Sequence, residues 1–266
     1  MKKGFLLACI FSIVTIACQK VPITGRKQVN LLSENDMIGM SLVSYKDFLS
    51  KNPPVPSTDA NAQMVKRIGA EMQKAVEVFM KDKGLSKRLD GYQWEFNLIN
   101  ENTVNAWCMP GGKVVVYSGL LPVTQTEGAL ACVMGHEIAH AVARHGNERM
   151  SQGMLVQLGG VALSVALSQK PQTTQDLFLQ SYGITSQLGM LKYSRTHESE
   201  GDKMGLIFMA IAGYDPTEAI SFWERMSKSG GAAPPEILST HPSDETRIAD
   251  IKAFLPEAMK YYKKKK

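Results

Sequence analysis

The stretch that decides the fold runs from residue 133 to residue 140 and reads VMGHEIAH. It contains an H-E-x-x-H pattern, in which His136 and His140 are four positions apart. Each residue of a helix turns by about 100°, so the two imidazoles lie on one face, one turn apart. Such a pair can hold one Zn²⁺, and Glu137 lies close enough to reach a water bound there. The pattern alone also fits an ordinary helix that carries two histidines.

The residues before the motif favour a helix. Thr124 and Glu127 have the spacing of a capping box, with Thr124 as the N-cap and Glu127 at the third helical position. The run from 129 to 134 is rich in apolar residues and contains neither Gly nor Pro. We therefore predict a helix that carries the motif in its middle, where the backbone determines the side-chain directions.

The chain before this helix changes its hydrophobic period. Two helices are predicted first, one capped by Ser33 and one that begins at Thr58 or Asp59. Apolar and polar residues then alternate from residue 92 to 98, which predicts a half-buried strand, and residues 113–117 form a second strand. The order of strand, turn, strand and H-E-x-x-H helix resembles the zincin metallopeptidases. In those folds an edge strand beside the metal binds the substrate as an added strand.

A catalytic zinc requires a third protein ligand and one open position. His145 follows His136 by nine residues, or about 900° of a continuous helix, so it would point to the opposite face. We expect it to be a surface or second-layer residue. Glu198 and Asp202 share one helix face at i and i+4. Glu198 is therefore the predicted ligand, and Asp202 would accept a hydrogen bond from a ligating imidazole.

The other polar residues near Glu198 are weaker candidates. His197 is adjacent to it and competes for the same role. Glu200 lies about 200° around the helix from Glu198 and is expected to face elsewhere. An ordinary charged helix face is the alternative interpretation of the whole stretch.

These motifs occur in an order that resembles the peptidase M48 family. The matching segments are His136–His140 (HEIAH), Glu198 with Asp202, Pro22–Arg26 (PITGR), Asn105–Ala106 with Pro110–Gly112, Ser118–Leu121, Arg144–His145 with Glu148–Arg149, and Ser239–Pro242 (STHP) with Arg247. The Pro22–Arg26 segment (PITGR) resembles the tether of the lipoprotein members of the family. One departure is Gly201, because the family usually has Ala before the aspartate.

The resemblance implies an α+β, mainly helical, zincin-like (gluzincin) fold with a small β-sheet beside the HExxH helix. It also implies one Zn²⁺ per chain, bound by His136, His140 and Glu198, with Glu137 and Asp202 assisting catalysis.

His241 is also a candidate catalytic residue, since a loop histidine can move. It could stabilise the oxyanion formed during peptide hydrolysis, occupy the open zinc position and shut the site, or make a structural hydrogen bond. Arg247 is expected to anchor its loop through salt bridges.

The N-terminus predicts export. Residues 1–17 combine a basic start with a short apolar run, as in a signal peptide, and Cys18 follows as in a bacterial lipobox. Plain cleavage near Ala17 is the alternative. We expect residues 18–32 to be a lipid-anchored tether, 33–256 the zinc metallopeptidase domain and 257–266 a basic tail. Gln19 after the cysteine favours the outer membrane, hence a periplasmic location.

Charge and motif content argue against a nucleic-acid-binding protein. Without Lys2 and Lys3 the 30 basic residues become 28, against 25 acidic ones, a net charge of +3. No nucleic-acid-binding module is recognisable. Cys108 and Cys132 would remain after export, and we slightly favour two free thiols over a disulfide.

We therefore predict a zinc endopeptidase that cleaves unfolded or misassembled envelope proteins. The alternative is a periplasmic chaperone or assembly factor for outer-membrane proteins, in contact with the outer-membrane assembly machinery, whose zinc site is shut by His241.

Between His145 and Glu198 we expect an apolar segment from 153 to 167, an exposed turn from 169 to 175, and a helix from 177 to 193.

Overall fold

The computed structural model describes residues 18–157, 171–182, 194–228, 237–238, 241 and 246–264. The predicted signal peptide lies outside these residues, as do most of the predicted apolar segment and most of the predicted helix from 177 to 193. Helices dominate the described part, and a small sheet lies beside the H-E-x-x-H helix. This confirms the predicted α+β class.

The strands are β1 (Cys18–Lys20), β2 (Lys27–Val29), β3 (Glu95–Ile99), β4 (Ala106–Met109) and β5 (Lys113–Tyr117). The helices are α1 (Glu34–Lys51), α2 (Ala60–Asp82), α3 (Glu127–Ala143), α4 (His145–Gln157), α5 (Pro171–Ser181), α6 (Arg195–Ile211), α7 (Glu218–Lys228) and α8 (Arg247–Met259). Short helical turns occupy Ser86–Leu89, Ser118–Leu120 and Leu121–Thr124.

Side-chain caps explain where several helices begin. The side chains of Ser33 and Asp59 accept hydrogen bonds from backbone N–H groups at the starts of α1 and α2. Ser33 was the predicted cap of α1, and Asp59 is one of the two residues predicted to begin α2. The predicted cap of α3 was wrong, because Thr126 and not Thr124 accepts from the N–H of Ala129, at 3.1 Å. Thr124 belongs to the preceding helical turn, which ends at Gln125 with a φ of 63°. This left-handed residue separates the two helices.

The three-stranded sheet has β5 at its centre, parallel to β3 and antiparallel to β4. Val114 and Val116 pack with α2 and α3, whereas Val115 faces the cluster that contains α1 and α5. The prediction of a half-buried strand was wrong, since helices cover both faces. Asn97, expected to be exposed, is buried and donates to the Tyr45 hydroxyl at 2.8 Å.

Helices α3 and α6 make the most extensive helix–helix contact in the described fold. Gly135 and Gly205 meet where they cross. A Cβ added at Gly205 would lie only 2.9 Å from the backbone nitrogen of His136. The missing side chains allow the two backbones to approach, and this approach brings Glu198 towards the two motif histidines.

Residues 18–32 differ from the predicted tether. They form the β1–β2 hairpin, with a turn that includes Gly25, and they pack on the domain. Gln28 donates to the carbonyl of Ala143 at 2.8 Å, and Arg88 donates to the carbonyl of Lys20 at 3.0 Å. These hydrogen bonds make the segment part of the folded unit.

The remaining predictions can be compared directly. The exposed turn expected from 169 to 175 was wrong, because α5 begins at Pro171. Helix α8 extends to Met259, slightly beyond the predicted start of the basic tail. Cys108 and Cys132 are free, buried thiols, as favoured. Within the described residues, we find no helix with the length and apolar character needed to cross a bilayer.

Candidate metal centre

Helix α3 places His136 and His140 on one buried face, as the i, i+4 spacing predicts. Their Nε2 atoms lie 2.9 Å apart and point into the same space. Both side chains are almost inaccessible to solvent. The two nitrogens therefore form one side of a possible metal site.

Helix α6 supplies a carboxylate to the same space. Ser194 caps this helix by accepting from the N–H of His197, so Glu198 lies in its first turn. The Oε2 atom of Glu198 is 3.5 Å from His136 Nε2, and its Oε1 atom is 3.6 Å from His140 Nε2. The predicted third ligand thus meets the two histidines.

His241 is the fourth member of the group. Its Nδ1 atom lies 3.0 Å from Glu198 Oε1 and 3.2 Å from His136 Nε2. One donor atom from each of the four residues lies within 4.8 Å of the others. The structure therefore shows the His241 imidazole inside this group of donors.

The four residues fit a zinc ion by donor type and by spacing. Imidazole nitrogens and a carboxylate are usual zinc ligands, with bonds of about 2.0–2.2 Å, so tetrahedral donors lie about 3.3 Å apart. The distances from His136 Nε2 to His140 Nε2, at 2.9 Å, and from His140 Nε2 to Glu198 Oε1, at 3.6 Å, bracket that value.

Asp202 and Arg247 stand behind the donor group. Asp202 Oδ1 is 2.9 Å from His136 Nδ1, the geometry predicted for an aspartate that orients a ligand. Burial alone would raise the pKa of Asp202, but Arg247 and His136 outweigh it and lower that pKa below its ordinary value. An ionised Asp202 accepts the Nδ1–H of His136, which leaves Nε2 with its lone pair.

Arg247 forms salt bridges, as predicted, whereas most of the loop that it was expected to anchor lies outside the described residues. Its guanidinium donates to both carboxylate oxygens of Asp202, at 2.9 and 2.7 Å, and Nη1 lies 2.9 Å from Glu198 Oε2. It also lies over the Trp223 ring, 3.5 Å from the centroid. Arg247 therefore ties α8 to the helix that carries Glu198, a role that its sequence position does not reveal.

Glu137 points towards His241. Its carboxylate is buried, and Oε1 makes no hydrogen bond within the described part of the chain. His241 Nε2 lies 3.6 Å from Glu137 Oε1. Burial raises the pKa of the Glu137 carboxyl above its ordinary value, although His241 and His136 oppose this. Buried acceptors are normally hydrogen-bonded, and a bound water molecule would be a suitable partner for this one.

His145 lies in the second layer, one of the two predicted positions. The rotation argument assumed a continuous helix, but α3 ends at Ala143, and Arg144 adopts a left-handed φ of 65°. This reversal brings His145 Nδ1 to 2.9 Å from His140 Nδ1. The residues that most often mark such a reversal are Gly and Asn, so an arginine there provided no signal.

His197 and Glu200 stay outside the donor group, as predicted. His197 Nε2 lies 3.0 Å from Glu148 Oε2, and its ring stacks on His145. Glu200 faces away from Glu198 but is buried, with Oε2 at 3.0 Å from His145 Nε2. These contacts were not predicted from the sequence.

Comparison with known proteins identifies the family. The family model described as Peptidase family M48 matches residues 66–255, more than half of the chain. The chain belongs to Peptidase family M48. The mainly helical α+β fold with its buried His and Glu cluster is therefore the zincin-like fold of this family.

Several M48 relatives resemble the chain over most of its length. "Mitochondrial metalloendopeptidase OMA1" of Schizosaccharomyces pombe is 34% identical over 242 residues, which cover 90% of this chain and 66% of the relative. "Metalloendopeptidase OMA1, mitochondrial" of Homo sapiens is 30% identical over 248 residues, covering 90% and 46%. "Beta-barrel assembly-enhancing protease" of Escherichia coli is 32% identical over 165 residues, covering 60% and 34%. The matched regions thus span one third to two thirds of these relatives.

Proposed function

We propose that this protein is a zinc-dependent endopeptidase whose His136, His140 and Glu198 hold one Zn²⁺ per chain. The observation that carries the proposal is the meeting of these three donors beside Glu137, whose buried Oε1 makes no hydrogen bond in the described structure. Metalloendopeptidase is the printed activity of the OMA1 relatives, which supports the same reaction.

The residues have distinct chemical tasks. Bound zinc would supply a Lewis acid that lowers the pKa of water and polarises the scissile carbonyl. Glu137 Oε1 would accept the proton of the attacking water and later deliver it to the leaving amine. Asp202 would keep the proton of His136 on Nδ1. His241, once displaced from Glu198, could donate from Nε2 to the developing oxyanion.

The edge of the sheet offers a binding site for an extended substrate. Strand β4 lies at the edge of the described sheet and packs against α3. A peptide added to this edge would be bound by backbone hydrogen bonds, which accept many side-chain sequences. This suits a protease that acts on unfolded chains.

The decisive test replaces Glu137 by Gln and follows cleavage of casein, an unfolded protein. Because a general base contributes about 10²–10⁴-fold to rate, Glu137→Gln should lose most activity and retain bound zinc. The matched control is Glu127→Gln, which changes an exposed glutamate of the same helix. Cleavage by zinc-loaded Glu137→Gln at the rate of the control would refute the proposed base.

We also propose that the substrates are unfolded or misassembled cell-envelope proteins and that the chain acts in the periplasm, anchored to the outer membrane by lipid on Cys18. The support is the signal-like N-terminus and the printed name of the Escherichia coli relative, which links that protein to β-barrel assembly. Labelled palmitate should enter the wild type and not Cys18→Ser. Crosslinked envelope proteins should accumulate on Glu137→Gln. Palmitate labelling of Cys18→Ser would contradict the lipid anchor. A Glu137→Gln variant on which no crosslinked envelope proteins accumulate would contradict the proposed substrates.

A second candidate function is chaperoning or assembly of outer-membrane proteins with a shut zinc site. The observation in its favour is the position of His241 within the donor group, where its Nδ1 lies 3.2 Å from His136 Nε2. Equal suppression of aggregation by wild type and Glu137→Gln, without any turnover by zinc-loaded wild type, would favour this function over the protease.

A further inference from the structure

A second cluster of charged and polar residues, buried except for Arg26, lies behind His140, on the side away from Glu198. Its members come from the N-terminal hairpin, from α4 and from α6, and they are Arg26, His145, Glu148, His197 and Glu200. None of them belongs to the four-residue donor group. None of these residues has a role in the proposed reaction.

Arg26 holds the two carboxylates of the cluster. Nη1 and Nη2 donate to the two oxygens of Glu148, both at 2.8 Å. Nε and Nη2 donate to the two oxygens of Glu200, both at 3.0 Å. Only the planar fork of an arginine can serve two carboxylates in this way. The hydroxyl of Thr24, from the same turn, also donates to Glu200.

Glu200 passes this orientation to His145. Its Oε2 atom lies 3.0 Å from His145 Nε2, and both side chains are buried. An ionised carboxylate only accepts hydrogen bonds, so His145 must carry a proton on Nε2. In a neutral imidazole that carries its proton on Nε2, Nδ1 is an acceptor.

His140 is the next residue in the chain of hydrogen bonds. Its Nδ1 lies 2.9 Å from His145 Nδ1, and one proton must lie between them. With His145 accepting, the proton belongs to His140 Nδ1, and His140 Nε2 keeps its lone pair towards the donor group. In the opposite arrangement Nε2 of His140 would carry a proton, which would block metal binding.

We propose that Arg26, Glu200 and His145 are positioning residues that hold His140 in its metal-binding tautomer, so that the N-terminal hairpin is part of the metal centre. This inference rests on the proposed zinc function. It gives His140 the counterpart of the support that Asp202 gives His136. Arg26 also lies outside the residues matched by the family model, which begin at 66.

The first experiment measures zinc affinity by chelator competition in Arg26→Gln and Arg88→Gln. Arg88 is the matched control, because it fastens the same hairpin through the carbonyl of Lys20, at 3.0 Å, and also donates to the carbonyls of Val142 and Ala143, whereas its hydrogen bonds do not involve Glu200. Loss of outer support typically weakens metal binding by about 10–100-fold, so we expect a loss in that range for Arg26→Gln only. Equal affinities in the two variants would overturn the proposal.

The second experiment does not require a variant that folds. Long-range ¹⁵N–¹H NMR of the five histidines in metal-free wild type reports which ring nitrogen carries the proton. We expect Nδ1–H for His140 and Nε2–H for His145. The reverse pair of tautomers would overturn the positioning chain even if zinc binds. Wild type that binds no zinc but shows the expected tautomers would instead refute the proposed function.

Discussion

Replacing Gly205 by Ala tests whether close packing of α3 and α6 builds the donor group. The new Cβ would lie 2.9 Å from the nitrogen of His136, 3.0 Å from the carbonyl carbon of Gly135 and 3.1 Å from the Cα of His136. Ordinary carbon contacts are about 3.5–4.0 Å. All three atoms are backbone, so no side chain can yield, and α6 must move by about 0.5–1 Å.

The expected magnitude follows from two opposing effects. Overpacking costs about 1–3 kcal/mol, whereas Ala in place of Gly within a helix contributes about 1 kcal/mol in the other direction. Gly39→Ala in α1 isolates the second effect, because nothing lies within 4 Å of its added Cβ. The free energies of unfolding of the two variants should therefore differ by about 1–3 kcal/mol.

The assays are urea unfolding and zinc competition on wild type and both variants. Gly39→Ala should raise the free energy of unfolding and leave zinc affinity unchanged. Gly205→Ala should have a lower free energy of unfolding than Gly39→Ala. It should also bind zinc more weakly, because Glu198 moves with α6 and metal–ligand distances tolerate only about 0.2 Å. If Gly205→Ala matches Gly39→Ala in both measurements, the argument from helix spacing is wrong.

Three further predictions concern charge and metal. Asp202→Asn should weaken zinc binding by about 10–100-fold in chelator competition, since an amide supports the Nδ1–H of His136 less well; unchanged affinity would contradict this role. The pKa values of Glu148 and Glu200 are lowered from 4.5 to about 2, where Arg26 and the histidines outweigh burial. Their stabilisation is present above about pH 4.5 and is lost as the pH falls towards 2. Urea unfolding across that range should show the loss, and Arg26→Gln should flatten it; equal slopes would refute the assignment. Chelation should lower the Tm and zinc should restore it, because the folded state binds the metal preferentially; a Tm indifferent to chelator would argue against a zinc site.

Local sequence rules were sufficient for much of the donor group. The i, i+4 spacings of His136 with His140 and of Glu198 with Asp202 predict shared helix faces, because helical rotation is a local property. The structure brings these residues together. Ser33 was predicted as a cap for the same reason, since a cap acts on a backbone N–H two or three residues away.

Only the tertiary structure decided the surroundings of these residues. Arg26 and Glu200 are 174 positions apart in the chain, and no spacing rule reaches that far. His145 joins His140 because the backbone reverses at Arg144, where the residue type gives no sign of a left-handed φ. The sequence alone thus determined the faces that carry the candidate ligands. The packing of the hairpin, α3 and α6 decided which buried charges stand behind them, because those contacts depend on distance in space.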